Sequence, residues 1–306
     1  MKYQRLQRKI KLYIKGIAYQ RRLRQYKKTK GLVSKNPRVL IVMNEGGVGN
    51  AVVATPFVQA VRMLWPAAEI TILIPSGDIF KGWVIPDVIT SSVEDIKGKV
   101  FDHTFFPYWI WHGLPGWSNC CDLGQVHYPK VWLEKILLKP EGIYYLDMLK
   151  KFGYRGPAPP LYVSMKPPEI EPAPVDLRIC LVPGGKSEAQ WRHKRWPYYR
   201  ELANELLNNY PEAQVCIIGT REDPIEGQLP EDKRIVDLRG NLTLCEVAWV
   251  LKNSDLTIGN DCGPMHIADA VQSRSLVIFG PTCELKNAYS NKAVAVSVDV
   301  PCRPCQ

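Results

Sequence analysis

The chain has 306 residues, 46% of them apolar and 23% charged, enough for about two domains with packed cores and unlike a disordered or fibrous protein. Its formal charge of +10 is local: residues 1–36 hold 13 Lys/Arg and no Asp/Glu, leaving 27 basic against 30 acidic residues elsewhere, so the body is nearly neutral and no nucleic acid is expected as a partner. Nine scattered cysteines fit a reducing compartment better than a disulfide framework. No run approaches the roughly 18 apolar residues of a membrane-spanning helix, and the charged N-terminus lacks the apolar core of a signal peptide.

In residues 1–36, Leu6, Ile10, Tyr13, Ile14 and Ile17 recur at helical spacing, with Arg5, Arg8, Lys9, Lys11 and Lys15 on other faces. This predicts a basic amphipathic N-terminal helix, backed by a second cationic run from Arg21 to Lys30. Such a segment suits an anionic membrane surface, where each cation contributes about 1 kcal/mol. A solvated or partner-docked helix is the alternative, and nucleic-acid binding a weaker third reading.

Residues 37–155 read as a first domain. Arg38 to Met43 is a continuous apolar strand, followed by the turn Gly46-Gly47-Val48-Gly49-Asn50, a helix from about Ala51 to Leu64 and a strand from Glu69 to Ile74. This is a βαβ unit whose glycines let the backbone approach a ligand. The turn lacks both the spacing of dinucleotide binders and the lysine of a P-loop. Residues 101–117 hold Phe105, Phe106, Tyr108, Trp109, Trp111 and Trp117; core plus connecting loop is the preferred reading over a sugar-stacking wall. His112 and His127 lack metal-ligand spacing.

Residues 156–174 contain seven of the 25 prolines and read as a semi-rigid linker. Residues 175–306 then alternate strand and helix, as a second doubly wound domain does. A strand from Leu177 to Val182 precedes a cationic run, Arg192 to Arg195, just before a helix that opens at Trp196-Pro197. The next strand, Gln214 to Ile218, leads to Glu222 and Asp223, where a carboxylate suits ribose hydroxyls. A strand ending at Ile258 is followed by Gly259-Asn260-Asp261 as its exit turn, a helix opened by Gly263-Pro264 with Met265 and His266, and a strand from Ser275 to Phe279. This unit aims backbone N–H groups and a helix dipole at a phosphate or diphosphate; Asp261 as a simple cap and His266 as a packed side chain is the plainer reading. Cys302-x-x-Cys305 cannot by itself complete a tetrahedral zinc site, so neither metal nor cofactor is assigned.

The segment from Asn260 to Ala270, with Gly280-Pro281-Thr282 after it, resembles the donor-site signature of glycosyltransferase family 9, the ADP-heptose:lipopolysaccharide heptosyltransferases. The turn at Gly46 to Asn50, Lys194-Arg195-Trp196-Pro197 and the stretch Val298 to Cys305 fall in the family's order. The resemblance implies an α/β fold of two Rossmann-like domains facing across a cleft (GT-B type). It implies inverting transfer from an ADP-sugar donor to a lipid-linked glycan acceptor, without a metal, at the inner face of a bacterial inner membrane. Lys194, Glu222, Asp261, Gly263, Pro264, Met265 and His266 are then the donor-binding residues, and Gly46, Gly47 and Gly49 the glycine-rich loop. Where the family has its catalytic Asp, this chain has Asn50. An amide has no useful basicity, so either another carboxylate substitutes, Glu45 being nearest, or the chain is a catalytically degenerate, membrane-tethered binding module. Family members generally continue past the equivalent of Gln306 with a terminal helix, so a natural end and an abridged chain both remain open.

Overall fold

The computed structural model describes residues 35–43, 46–107, 115–129, 139–169, 172–186 and 189–303. The expected tail helix, Glu45 and the aromatics from Tyr108 to Trp111 lie outside the described residues. The chain divides into two units, the first made of Met1–Gly46, Ala54–Gly77 and Gly82–Pro160, the second of Gly47–Val53, Asp78–Lys81 and Leu161–Gln306.

The first unit is built on five parallel strands, β1 (Arg38–Val42), β2 (Glu69–Leu73), β3 (Val88–Thr90), β4 (His103–Phe105) and β5 (Gln125–His127), in the order β3-β2-β1-β4-β5. Residues 39–42 of β1 are all buried, which is why it reads as an unbroken apolar run: a central parallel strand is covered on both faces. Helix α1 (Val48–Leu64) buries Phe57, Val58 and Val61 completely. Its last turn is closed by Arg62, whose guanidinium donates to the carbonyls of Ala68 at 2.6 Å and Ile85 at 3.0 Å and to Asp87 at 2.7 Å. Phe105 and Phe106 are core residues, as the preferred reading of the aromatic stretch requires. The short helix α2 (Glu141–Asp147) follows.

The second unit carries six parallel strands, β6 (Leu177–Val182), β7 (Ala213–Ile217), β8 (Ile235–Asp237), β9 (Leu256–Asn260), β10 (Ser275–Phe279) and β11 (Ala293–Ser297). Their order is β11-β10-β9-β6-β7-β8. Counted from β6, this is the 3-2-1-4-5-6 order of a dinucleotide-binding fold, with its topological switch point between β6 and β9. Helix α3 (Tyr199–Asn209) lays Tyr199, Ala203 and Leu207 against Ile179, Leu181, Val215 and Ile217. Each such aliphatic side chain contributes about 1.5–3 kcal/mol on burial. Helix α4 (Leu244–Lys252) opens with a capping box: the Thr243 hydroxyl accepts from the Glu246 N–H and the Glu246 carboxylate accepts from the Thr243 N–H. Helix α5 (Gly263–Ala270) buries Met265, Ile267 and Ala268.

Described residues of the proline-rich stretch form neither helix nor strand. It is held by Arg178 of β6, whose guanidinium donates to the carbonyls of Pro172 at 3.1 Å and Ala173 at 2.7 Å. Three boundaries differ from expectation by two residues or more. Helix α1 starts at Val48, so Gly49 and Asn50 lie in its first turn and not in a free loop. Strand β9 continues through Asn260, because the ladder with β10 runs on to pair Asn260 with Ile278. Helix α3 starts at Tyr199, two residues past Pro197; the backbone before a proline is pushed away from helical geometry, and the cationic run forms a separate 3-10 turn, Ala189–Lys194.

Candidate functional site

Open α/β sheets bind ligands beyond the carboxyl ends of their strands at the switch point. In the second unit that point is framed by Pro183-Gly184 after β6 and by Asp261 after β9. Asn260, fully buried, joins the two: its amide donates to the carbonyls of Pro183 at 2.7 Å and Gly184 at 3.1 Å. Its oxygen accepts from the Trp196 N–H at 3.0 Å. One side chain thus fixes both the glycine turn and the backbone that carries Lys194. Gly259 beside it has no room for a side chain, since a Cβ there would collide with Met265 and lie 2.8 Å from Val182.

Asp261 points into a ring of donors. Lys194 Nζ lies 3.2 Å from its Oδ2, Asn287 donates to Oδ2 at 2.8 Å, and the Tyr289 hydroxyl donates to Oδ1 at 2.9 Å. Burial pushes this carboxyl up, but the Lys194 ammonium and His266, with the hydrogen bond from Asn287, outweigh it and hold it below the usual carboxylate range. Asp261 is therefore an anion in place. It does not cap α5: the N-cap residue is Cys262, with no side-chain capping bond, and Pro264 occupies the first turn. The leading N–H groups of a helix have no intrahelical partners, so this terminus suits an anion. Burial raises the Cys262 thiol to about 12, so at neutral pH it remains a thiol.

Of the cationic run, Lys194 turns inward, while Arg192 and His193 are exposed. Its path is set by Gly280, where a Cβ would collide with the His193 carbonyl. Gly280 is in turn clamped by Arg303, which donates to its carbonyl at 2.6 Å and to the Glu284 carboxylate at 2.6 Å. Residues 47–53 belong to this same unit, and a Cβ on Gly49 would lie 2.6 Å from the His266 ring and 3.2 Å from Gly263. Asn50 is half-buried and Gly46 and Gly47 are exposed. Glu222 is exposed on the turn after β7. Its neighbour Asp223 is the carboxylate that faces the glycines, so close that a Cβ on Gly184 would lie 2.5 Å from it.

The structure thus brings Lys194, Asp261, Gly263 and His266 together, with Gly49 beside them, and leaves Glu222 at the surface. Sequence reasoning missed Asn260, Asn287, Tyr289 and Arg303 as parts of the site. Only Asn260 carried a signal, as a polar residue abutting an apolar strand. Among the described residues no cluster of three or more His, Cys, Asp or Glu side chains is placed to hold a metal ion.

With this geometry in place, residues 179–306 match the family described as glycosyltransferase family 9 (heptosyltransferase). Over that region, less than half of the chain, it resembles glycosyltransferase family 9. It is 35% identical over 98 residues to lipooligosaccharide heptosyltransferase 2 of Haemophilus influenzae, covering 29% of this chain and 28% of that protein. The aligned part is thus under a third of that curated relative. Among solved structures, the glycosyl transferase family 9 protein of Veillonella parvula superposes with a TM-score of 0.68 at 14% identity, covering 89% of this chain and 90% of that one. E. coli heptosyltransferase WaaC with ADP gives 0.61 at 14% identity, covering 86% and 93%. At these identities the likeness establishes the fold, two Rossmann-like units of the GT-B class.

Proposed function

We propose that this heptosyltransferase-like chain is an inverting glycosyltransferase that moves a sugar, heptose foremost, from an ADP-sugar to a lipid-linked glycan of the lipopolysaccharide type. The observation that carries the reading is the Lys194–Asp261 pair at the switch point, beside the N-terminus of α5. The WaaC structure that shares the fold was solved with ADP, and ADP is the leaving group the reaction requires.

In the transfer, the acceptor oxygen forms a bond to the anomeric carbon as the bond from that carbon to the diphosphate breaks. Negative charge collects on the departing ADP. Lys194 and the N–H groups at the start of α5 are fixed there to meet it, so little reorganisation is needed. Asp261 holds Lys194 and orients the donor, with Met265 beneath and His266 lining the pocket. The acceptor proton must go to a base. Asn50 supplies none, and Glu45 is the carboxylate proposed for that role. Residues 1–36 would hold the enzyme on the anionic inner face of the membrane, next to its acceptor.

Asn50 favours a second reading, a membrane-tethered module that binds the donor without turnover. Incubating the full chain and the Asn50→Asp variant with ADP-heptose and a lipopolysaccharide acceptor separates the two. Transfer by the natural chain supports the enzyme reading. Transfer by Asn50→Asp alone, or ADP binding with no transfer by either, establishes the binding module.

A further inference from the structure

We propose that Lys186 is the second cation of the donor site: the Trp191 ring holds it near Lys194, and it meets the charge of a diphosphate that the Lys194–Asp261 pair, neutral as a unit, leaves unbalanced. The inference rests on the donor-site reading above and adds a residue to it.

The Lys194 ammonium lies 3.2 Å from the ionised Asp261 carboxylate, so together they carry no net charge. The start of α5 adds about half a positive charge. ADP brings about three negative charges at neutral pH, its terminal phosphate being largely past its second ionisation. A site built for that ligand calls for another cation within reach.

Lys186 is placed to supply it. Its Nζ sits 5.6 Å from the centroid of the Trp191 ring, and Lys194 Nζ sits 5.8 Å from the same ring. Both distances fall in the range over which an indole attracts a cation. One ring thus gathers two ammonium groups, whose mutual repulsion an incoming anion relieves. The two differ in surroundings. Lys194 is enclosed, with its side chain 13% exposed and its charge matched by Asp261. Lys186 is exposed, and no carboxylate among the described residues forms an ion pair with it.

The backbone accounts for the convergence. Asn260 donates to the carbonyls of Pro183 and Gly184 and accepts from the Trp196 N–H, so the stretch between them leaves from and returns to one buried side chain. Lys186 stands at the start of that loop and Lys194 near its close, both beyond the carboxyl end of β6. Arg195 crosses the base of the loop, its Cγ 3.4 Å from where a Cβ on Gly185 would lie.

Calorimetric titration of ADP into the full chain, at two salt concentrations, tests the assignment. Exposed charges act over about 30 Å at about 0.01 M salt and over only about 3 Å near 1 M. Lys186→Met keeps the stem and removes the charge. It should lower ADP affinity about tenfold at low salt, the scale of one hydrogen bond to a charged group, and by much less at high salt. The loss in Lys194→Ala, whose cation is enclosed, should persist at both. Lys186→Arg should bind nearly as the natural chain does. Trp191→Leu, which takes the ring from both lysines, should bind no better than Lys186→Met. Equal low-salt affinity of the natural chain and Lys186→Met overturns the proposal, and a weakened Lys194→Ala then leaves the donor-site reading standing. A salt-independent loss in Lys186→Met also overturns it, by marking a structural effect. So does a larger salt-sensitive loss in Arg195→Gln, which moves the role to Arg195, or unaltered binding by Trp191→Leu. No ADP binding by the natural chain overturns the donor-site reading, and this proposal with it.

Discussion

Lys194 and Asp261 form an ion pair almost closed to solvent, Nζ to Oδ2 at 3.2 Å with side chains 13% and 2% exposed. Enclosing two charges costs several kcal/mol in lost hydration, so the pair is poor evidence of a stability device. It makes sense as a placement device. An ammonium has three donors, and Asp261 fixes its position while using one of them. On the proposed reading, a diphosphate at α5 would meet a cation already in place.

Asn260 is predicted to be the structural keystone of the site. Asn260→Ala strands the carbonyls of Pro183 and Gly184 and the N–H of Trp196, all bonded to it now. Unsatisfied buried groups cost about 1–3 kcal/mol each, and partial relaxation should bring the total to roughly 3 kcal/mol in urea unfolding. Asn260→Asp should be no better, because a carboxylate cannot donate to the two carbonyls. Near-native stability of either variant would contradict this role.

In the second unit β6, β7, β9 and β10 were legible because they are largely buried parallel runs with turn residues after them, unlike the exposed β11. β6 and β10 have their expected bounds. Local pattern could not place Asn260, since a polar residue after apolar ones reads as an exit turn until the partner strand is known. Asn287 and Tyr289 lie in a loop without periodicity, and their roles come from contacts to residues 26 and 28 positions away. Nor could the sequence choose between Glu222 and Asp223: adjacent carboxylates look alike, and the turn geometry turns only Asp223 toward the glycines.

Gly280→Ala should damage the site without touching a ligand-facing side chain. The new methyl group falls on the His193 carbonyl, next to Lys194, while Arg303 holds the Gly280 carbonyl from the other side. Overpacking of this kind costs about 1–3 kcal/mol, and the displaced Lys194 should weaken ADP binding as well. Calorimetry and urea unfolding together check it. Loss of neither stability nor affinity would show that this loop has slack.

The first unit should lose stability in mild acid. His103 is buried, stacked on Trp65 with centroids 5.2 Å apart, and its Nδ1 lies 3.3 Å from His127 Nε2. Burial lowers its pKa, Asp102 opposes that and Lys151 adds to it, with a net shift downward. The unfolded chain therefore takes up a proton near the ordinary pKa of about 6.5 while the folded chain does not. Stability is complete above that value and declines as pH falls below it toward the lowered pKa. Urea midpoints at pH 5 and pH 7.5 should differ more for the natural chain than for His103→Gln; an equal difference would remove His103 as the cause.

The central claim is that Lys194, held by Asp261, is the diphosphate ligand of an ADP-sugar site. Calorimetric titration of ADP into the full chain and into Lys194→Ala tests it most directly. The account predicts saturable one-site binding to the natural chain, weakened about tenfold to a hundredfold by the substitution, as expected for a hydrogen bond to a charged group. No binding to the natural chain, or equal binding to both, would contradict it.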